Sequence, residues 1–391
     1  TSPGRKVELI AKIENKTDAP IQKTYAILAA PGGFIIQKTE PKIDTMKWDL
    51  ATLEPGEAQE LKIQGTFVTS ATGSQEISLT LEEEVATNTF PLAKSTLQIQ
   101  VEGSDLAVEL QLNNTPGLTW VRLGQPLQYL LKVSNNSSQI MKDITAALSI
   151  NSKLVDFKTV QTENGTITPQ ESRIVFPKEG TFTLNPKESK EFLVHGTMAA
   201  SAQPNVSPYI EANAQVNVGT NTFTGIPLKV IVVSDLALTV EGRYFGPDGN
   251  PIGSGPLPPK VGEETVYEIR FRLRNTFHDL SKTIVVTTLP QGVRFLGSAG
   301  EQSGKITSNE KTKEVSCEIA RMPVTTSMVS AAFKIGVTPD PSHLGQLIGL
   351  LGITRAEAFD TISQIQFSTD APSVSSNLDG DPSGRGKGVV Q

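Results

Sequence analysis

The sequence predicts an all-β protein built from three antiparallel β-sandwiches in tandem, and three observations support this. Apolar and polar residues alternate in short runs, as they do in half-buried β-strands. One sequence pattern occurs three times along the chain. Many of the 32 glycines and 25 prolines lie between the alternating runs, where they mark turns. Together these observations favour packed sheets over helices.

The repeat becomes visible when the chain is aligned on three asparagines, Asn15, Asn135 and Asn275. Counting back in twos from each asparagine gives four apolar positions in every copy. These positions are Ile13, Ala11, Leu9 and Val7, then Val133, Leu131, Tyr129 and Leu127, then Leu273, Phe271, Ile269 and Tyr267. Each copy is therefore predicted to contain a strand that leads into an asparagine turn.

Two further motifs relate the first two copies to each other. The stretch Leu53-Glu-Pro55-Gly-Glu57 corresponds to Leu184-Asn-Pro186-Lys-Glu188. Downstream, Thr87-Asn-Thr-Phe90 corresponds to Thr220-Asn-Thr-Phe223, and a strand follows each motif. The third copy lacks the Leu-x-Pro-x-Glu signature, so it is a divergent member of the set.

The tetrapeptide Ser-Asp-Leu-Ala, at Ser104 and Ser234, marks the seams between copies. The predicted domains are 1–103, 104–233 and a divergent 234–372, followed by a flexible or linking tail at 373–391 with polar Ser/Gly/Asp composition. No Gly/Ser linker separates the copies, which predicts a stiff rod of three sandwiches. The stretch 344–358 is predicted as strand although a short helix is the alternative.

Composition and charge exclude several classes of protein. The chain has 35 basic and 41 acidic residues, and no basic patch interleaved with aromatics, which argues against nucleic-acid binding. Its apolar runs are too short for a transmembrane span, so membrane attachment is expected only through segments outside this chain. Because the sequence starts at Thr1 without a leader, it is expected to be a mature or trimmed piece.

No catalytic constellation is found, and the chain is predicted not to be an enzyme, with no catalytic residues and no cofactor. The three histidines, His195, His278 and His343, stand in no known catalytic or metal-binding motif. His195 is expected on the exposed face of a strand, and His278 in the turn after Asn275. A pair of carboxylates that converges only in three dimensions remains an open alternative. The single cysteine, Cys317, cannot form an internal disulfide. It lies in the alternating run Val315-Ser-Cys317-Glu-Ile319, on the apolar face, and is therefore expected in the core.

Calcium is the most credible metal, and its weak candidate ligands are Asp248, Asn250, Asp379 and Asp381. Calcium takes six to eight oxygens, whereas each cluster offers two side chains, and Asp-Gly is a common turn dipeptide. Turns are therefore favoured over metal sites. The acidic run 82–84 is expected to face solvent near an edge of the first sandwich.

Three further features of the sequence concern the protein surface and its modification. The sequence Asn-x-Ser/Thr, a glycosylation acceptor that would mark surface loops, occurs at Asn15, Asn113, Asn135, Asn136, Asn164 and Asn205. Trp48 is expected in a core strand and Trp120 near the start of the second copy, with sugar binding by an exposed aromatic as the alternative. Lysine–asparagine cross-links are neither favoured nor excluded by the sequence.

With these motifs, the chain resembles the tandem immunoglobulin-like modules of bacterial and archaeal cell-surface proteins, and it is similar to surface-repeat proteins of candidate-phyla bacteria. The resemblance rests on the stretch 255–267, on Asn275-Thr, and on Leu289-Pro-Gln-Gly-Val293 in the third copy. It implies immunoglobulin-like sandwiches in an extracellular protein at the cell surface, with a structural or adhesive role as a stalk or spacer.

Two alternative functions remain open. One is a module that binds a glycan or a protein through the Pro/Gly-rich loop 246–259 of the third copy. The other is a subunit of an envelope lattice or filament that assembles through edge strands or through the tail. The expected partners are accordingly other surface proteins, copies of the same chain, or glycans.

Overall fold

The structure is a computed structural model, and it describes residues 1–43, 45–85, 88–115, 120–201, 206–300, 303–326 and 328–391. The described chain consists mainly of β-strands, nearly all paired antiparallel, with 3₁₀ helices at Pro169–Glu171 and Pro341–His343. Within these ranges there is no α-helix, and no helix is long and apolar enough to cross a bilayer. The all-β prediction is therefore confirmed.

The chain divides into two compact units. One comprises Thr1–Leu118, Gln125–Ala199 and Tyr209–Val230, and the other Thr119–Gly124, Ala200–Pro208 and Ile231–Gln391. For description, residues 1–103, 104–233 and 234–391 are called the first, second and third modules. The predicted domain boundaries and the predicted rod stay predictions.

The first module is a sandwich of a three-stranded and a four-stranded sheet, in the orders β1-β5-β3 and β4-β2-β6-β7. Its strands are β1 (Val7–Glu14), β2 (Ile21–Ala29), β3 (Phe34–Glu40), β4 (Lys47–Leu53), β5 (Ala58–Phe67), β6 (Gly73–Val85) and β7 (Asn88–Val101). Between the sheets lies a core of its own that includes Trp48, Leu61 and Phe67. The acidic run 82–84 is half-buried on β6, which pairs with β2 and with the edge strand β7.

The second module also contains two sheets. They have the orders β12-β16-β10-β8 and β13-β14-β11-β17-β19, with β15 and β18 paired to β11 and β17. A short parallel pairing joins β9 to the end of β19. The strands are β8 (Leu106–Leu112), β9 (Trp120–Val121), β10 (Pro126–Asn135), β11 (Met141–Asn151), β12 (Val155–Gln161), β13 (Thr166–Thr168), β14 (Arg173–Phe176), β15 (Phe182–Leu184), β16 (Ser189–Met198), β17 (Tyr209–Val218), β18 (Asn221–Thr224) and β19 (Leu228–Val232).

The third module has sheets in the orders β20-β21-β26-β23 and β24-β25-β22-β28-β29, plus the pair β27-β30. The strands are β20 (Leu236–Arg243), β21 (Thr265–Asn275), β22 (Leu280–Thr288), β23 (Val293–Ser298), β24 (Lys305–Asn309), β25 (Glu314–Met322), β26 (Val329–Val337), β27 (Gly349–Leu351), β28 (Thr354–Asp360), β29 (Gln366–Ala371) and β30 (Val374–Ser375). Strands β27 and β28 confirm the predicted strand character of 344–358.

The segment 373–391, predicted as a flexible or linking tail, is packed against the third module and is not a flexible tail. Leu378 and Val390 belong to the core of the third module, and Ser376 is fully buried. The backbone of the last residue, Gln391, exchanges hydrogen bonds with Pro259 and Val261. The polar composition of this segment conceals its fold, because two apolar anchors and backbone hydrogen bonds suffice to hold it against the module.

The three aligned asparagines occupy the same structural position at the end of a strand. Asn15 Nδ2 donates to the carbonyls of Ala19 and Leu53, and Asn135 Nδ2 donates to those of Gln139, Leu184 and Asn185. In both, Oδ1 accepts from the backbone and hydroxyl of the residue two positions on, Thr17 or Ser137. The side chain thereby ties the turn to the Leu-x-Pro motif, which explains why the two motifs recur together.

Asn275 makes the same turn in an altered form. Its Nδ2 donates to the carbonyls of His278 and Met322, at 2.6 and 3.4 Å. The residue two positions on is Phe277, which has no hydroxyl, and Asn275 Oδ1 is buried without a hydrogen-bond partner among the described residues. This change accompanies the loss of the Leu-x-Pro-x-Glu signature in the third copy.

Candidate functional site

The Ser-Asp seam at the start of the third module contributes to a buried polar cluster. Asp360 Oδ2 accepts from the Ser234 backbone N–H at 2.8 Å and lies 2.9 Å from His278 Nδ1. Its Oδ1 accepts from the backbone N–H groups of Ile362 and Ser363. The carboxylate therefore connects the seam, the turn after Asn275, and the end of β28.

Electrostatics in this cluster favour an ionised Asp360. Burial opposes ionisation, but the hydrogen bonds from His278 and from three backbone N–H groups outweigh it and lower the pKa of Asp360 to about 2. Sequence reasoning missed this pair because His278 and Asp360 are 82 residues apart.

Although it contains serine, histidine and aspartate, this cluster is not arranged as a nucleophile and its base. Ser234 Oγ accepts from the backbone N–H groups of Phe277 and His278. In the part of the chain that the structure describes, His278 Nε2 is buried with no hydrogen-bond partner. In a catalytic triad the imidazole nitrogen remote from the carboxylate faces the hydroxyl. The arrangement fixes the chain rather than presenting a reactive atom.

A second buried carboxylate, Asp381, holds the C-terminal segment. Oδ2 accepts from the backbone N–H groups of Tyr244 and Phe245 at 2.7 and 2.8 Å, and Oδ1 accepts from those of Ser383 and Gly384 at 3.1 and 3.0 Å. Burial opposes ionisation here too, but the four N–H donors lower the pKa of Asp381. Because both oxygens face donors, Asp381 acts as a clamp between the segment and β20 and is not positioned to bind a cation.

The other three weak calcium candidates are held by local contacts of their own. Asp248 accepts from the backbone and side-chain nitrogens of Asn250 at 3.2 and 2.6 Å, which also lowers the pKa of Asp248. Asp379 accepts from Asn377 Nδ2 at 2.6 Å and is exposed. In the part of the chain that the structure describes, no group of three or more His, Cys, Asp and Glu side chains could hold a metal ion.

The loop 246–259 is anchored at its base and exposed at its tip. Tyr244 donates its hydroxyl to the Gly255 carbonyl at 2.6 Å, and Thr265 donates to the Pro256 carbonyl at 2.8 Å. Residues 247–251 are exposed. The loop therefore presents a fixed turn at the surface of the third module.

The other histidines, the cysteine and the tryptophans lie outside the two buried carboxylate clusters. His195 is exposed on β16, as expected, and His343 lies at the end of a 3₁₀ helix beside Asp340.

Cys317 is buried as predicted, and burial and the nearby Glu318 raise its pKa to about 11. Trp48 is 2% exposed, as expected, and donates to the Pro41 carbonyl. Trp120 is half-buried, with the Arg122 guanidinium 5.6 Å from its ring.

The glycosylation motifs are not all on the surface. Asn15 and Asn135 are 1% and 0% exposed, and their amide nitrogens are engaged in the turns described above. Asn113 is half-buried, whereas Asn136 and Asn164 are exposed. Asn205, and Thr87 of the Thr-Asn-Thr-Phe motif, lie outside the described residues.

The first two modules meet at Thr69, just after β5. Its hydroxyl accepts from the backbone N–H of Val108, and its backbone N–H donates to the carbonyl of Thr224, both at 3.0 Å. Thr69 is 7% exposed. A Cβ added at Gly4 would lie 2.9 Å from the Phe223 ring, so the first turn of the chain also packs closely there. The first module is thus bonded to two strands of the second.

Comparison with known proteins gives only remote likenesses. Neither a family profile nor a curated protein matches the chain. Among solved structures, the C-terminal domain of the Streptococcus pyogenes antigen I/II-family protein AspA is 9% identical, with a TM-score of 0.30, covering 68% of this chain and 99% of that one. The C-terminal domain of the Streptococcus agalactiae AgI/II polypeptide BspA is 11% identical, with a TM-score of 0.29, covering 68% and 98%.

A putative membrane-anchored protein from Corynebacterium diphtheriae is 9% identical, with a TM-score of 0.23, covering 96% of this chain and 88% of that one. All three are bacterial proteins. At these identities and scores the likenesses carry no argument about the function of this chain, which is argued below from its own residues.

Proposed function

We propose that the chain is a non-enzymatic structural segment of a cell-surface protein, where it acts as a stalk or spacer. The observation that carries the proposal is the junction at Thr69, where backbone and side chain of one residue bond to two strands of the next module. A spacer must transmit position from one module to the next, and a hydrogen-bonded junction does so better than a flexible linker.

The buried polar groups support the same role. Asn15, Asn135, Asp360 and Asp381 all use their side chains to bond backbone groups of the same module. Such groups fix turns and chain ends, and each is enclosed rather than open to a substrate. The buried polar side chains of this chain therefore stabilise its fold.

Localisation is tested on intact cells of the source organism. Cells are labelled with a membrane-impermeant amine reagent, and modified lysines of this chain are sought by mass spectrometry. The proposal predicts labelling of exposed lysines such as Lys229, with a ribosomal protein remaining unlabelled as the control. Labelling that appears only after lysis would contradict a surface location.

A second candidate function is recognition of a glycan or a protein by the loop 246–259. The exposed tip and the anchored base favour it, because a preformed loop binds with less loss of conformational entropy. A glycan array and a surface-protein pull-down, each run with the native chain and with Asp248→Ala, test it. A bound ligand that is lost in the variant supports loop recognition, and an unchanged profile contradicts it.

A further inference from the structure

Positive charge is concentrated on one face of the third module. Side chains alternate along β21, so every second residue from Glu268 to Arg274 lies on the face turned away from the core. The residues opposite them on β20 and β26 share this face. Its basic side chains on the three strands are Arg243, Arg270, Arg272, Arg274 and Lys334, and its acidic side chains are Glu241 and Glu268. Five basic residues thus stand against two acidic ones, in a chain whose net charge is −6.

The two glutamates hold the neighbouring arginines in place. Arg270 donates from Nε to Glu268 Oε1 at 2.6 Å, and Arg272 donates from Nη1 to Glu241 Oε1 at 3.3 Å. Glu241 Oε2 also accepts from Arg243 Nε at 3.0 Å. The side chains of Glu268 and Glu241 are only 11% and 16% exposed. The guanidinium groups are therefore positioned before a ligand arrives, which lowers the entropic cost of binding.

The arginines keep most of their hydrogen-bonding capacity. A guanidinium group has five N–H donors. Arg270 and Arg272 each use one of these donors in the ion pairs with glutamate. Among the described residues, the other donors of these two side chains have no acceptor, and the exposed Arg274 makes no ion pair. Guanidinium donors of this kind suit the two oxygens of a carboxylate or a sulfate.

A groove of about 290 Å³ lies beside Arg270 and Arg272. The β26 residues opposite the two arginines are Ser330 and Ala332, which are small and leave space above the sheet. Met328, which is 47% exposed, also lines the groove and offers an apolar surface. Pockets for small organic ligands have volumes of about 300–1,000 Å³, so this groove matches the smallest of them.

We propose that this groove binds a small organic anion of the sugar-acid type. Its carboxylate or sulfate group bonds to Arg270 and Arg272, and its body packs between Ser330 and Met328. The anion is either a free molecule or the terminal residue of a glycan, since both present the same chemistry. This binding goes beyond the spacer role and does not depend on it. The site is also separate from the loop 246–259, none of whose residues lines the groove.

The position of Glu268 determines which end of the groove takes the negative group. Glu268 lines the groove next to Arg270 and repels an anion at that end. Arg272 and Arg274 follow on the same face in the other direction along β21. The oxyanion therefore lies towards Arg272, and a ligand with one negative group is preferred over one with negative groups at both ends.

The probe is glucuronate, titrated into the full chain with isotope-labelled arginine and followed by the Nε–Hε NMR signals. Saturable shifts are expected for Arg270 and Arg272, and none with glucose, which has the ring without the carboxylate. Arg272→Gln should weaken binding at least tenfold while Glu241 stays bonded to Arg243. The matched control Arg355→Gln removes an exposed arginine from the other sheet and should leave binding unchanged.

The body of the ligand is tested separately with Ser330→Leu, which fills the groove without changing its charge. This variant should weaken glucuronate binding at least tenfold but leave the binding of inorganic sulfate, while circular dichroism confirms that each variant is folded. A glucuronate-terminated oligosaccharide that binds more tightly than glucuronate would identify a glycan as the source, and equal affinity would identify the free acid. Absence of saturable shifts with glucuronate, equal shifts with glucose, or indifference to Arg272→Gln would overturn the proposal. Sulfate that binds as tightly as glucuronate, with neither affected by Ser330→Leu, would also overturn it, because the site would then hold an inorganic ion only.

Discussion

Replacing Asn15 by alanine tests the asparagine turn of the first module most sharply. The substitution removes the donor to the buried Leu53 carbonyl and to the Ala19 carbonyl, and it removes the acceptor for two Thr17 donors. Leaving the buried Leu53 carbonyl unpaired costs about 1–3 kcal/mol. The Ala19 carbonyl and the Thr17 donors are partly exposed and can bond to water, so their loss adds less. The free energy of unfolding of the module should therefore fall by about 2–4 kcal/mol in total.

The assay is urea unfolding followed by tryptophan fluorescence. The chain has two tryptophans, so a Trp120→Phe background leaves Trp48 as the reporter, and Trp48 lies in the core of the first module. The matched control is Thr17→Ala, which removes the hydroxyl bonds to Asn15 Oδ1 and to the Ala19 carbonyl but leaves the buried Leu53 carbonyl paired. Because Thr17 is exposed, this control should cost less than about 1 kcal/mol. A loss for Asn15→Ala no larger than that of the control would refute the reasoning.

Asn15→Asp provides a second and independent readout. At neutral pH its carboxylate would face the carbonyls of Ala19 and Leu53, so folding would raise the pKa of the introduced group and the variant should be less stable than Asn15→Ala. A raised folded pKa means that the relative stability of the variant returns as the pH falls through that pKa. A pH-independent difference between the aspartate and alanine variants would contradict this geometry.

Three further outcomes are expected. Asp381→Asn places an amide opposite four N–H donors and should lower the free energy of unfolding of the third module by about 2–4 kcal/mol, which would expose residues 376–391 to proteolysis. The control Asp379→Asn, at an exposed position, should leave protease resistance unchanged. Equal protease resistance of the two variants would contradict the clamp. The folded pKa of about 2 for Asp360 is below its ordinary value, so its contribution to stability is full above about pH 4 and is lost as the pH falls towards 2. Asp360→Asn should flatten this part of the unfolding profile, and an unchanged slope would count against it. Cys317, whose pKa is raised to about 11, should react with a thiol reagent at pH 8 only on unfolding, and rapid reaction of the folded chain would show that it is not enclosed.

Local sequence pattern predicted the strands well because it acts over short distances. Alternation before Asn135 gives a strand whose inward side chains are buried, and the recurrence of the Leu-x-Pro motif reflects its bond to the same asparagine. Cys317 and Trp48 were placed in the core from alternation alone, and both are buried.

Long-range contacts account for what the sequence did not reveal. Asp381 lies in a polar segment that resembles a tail, and its role depends on N–H groups 136 and 137 residues away. The pairing of β6 with β7, which half-buries the acidic run 82–84, is likewise not visible in the composition of that run.

The proposed spacer role requires a fixed junction at Thr69, and a distance distribution between spin labels on the first two modules tests this requirement most directly. Spin labels are attached at the equivalent exposed positions through the substitutions Glu60→Cys and Glu191→Cys. The native Cys317 is buried and its pKa is raised to about 11, so it should not react with the labelling reagent. The account predicts one narrow distribution in the parent chain and a broader one in Thr69→Ala. A broad distribution in the parent chain, unchanged by the Thr69 substitution, would contradict a spacer held by this junction.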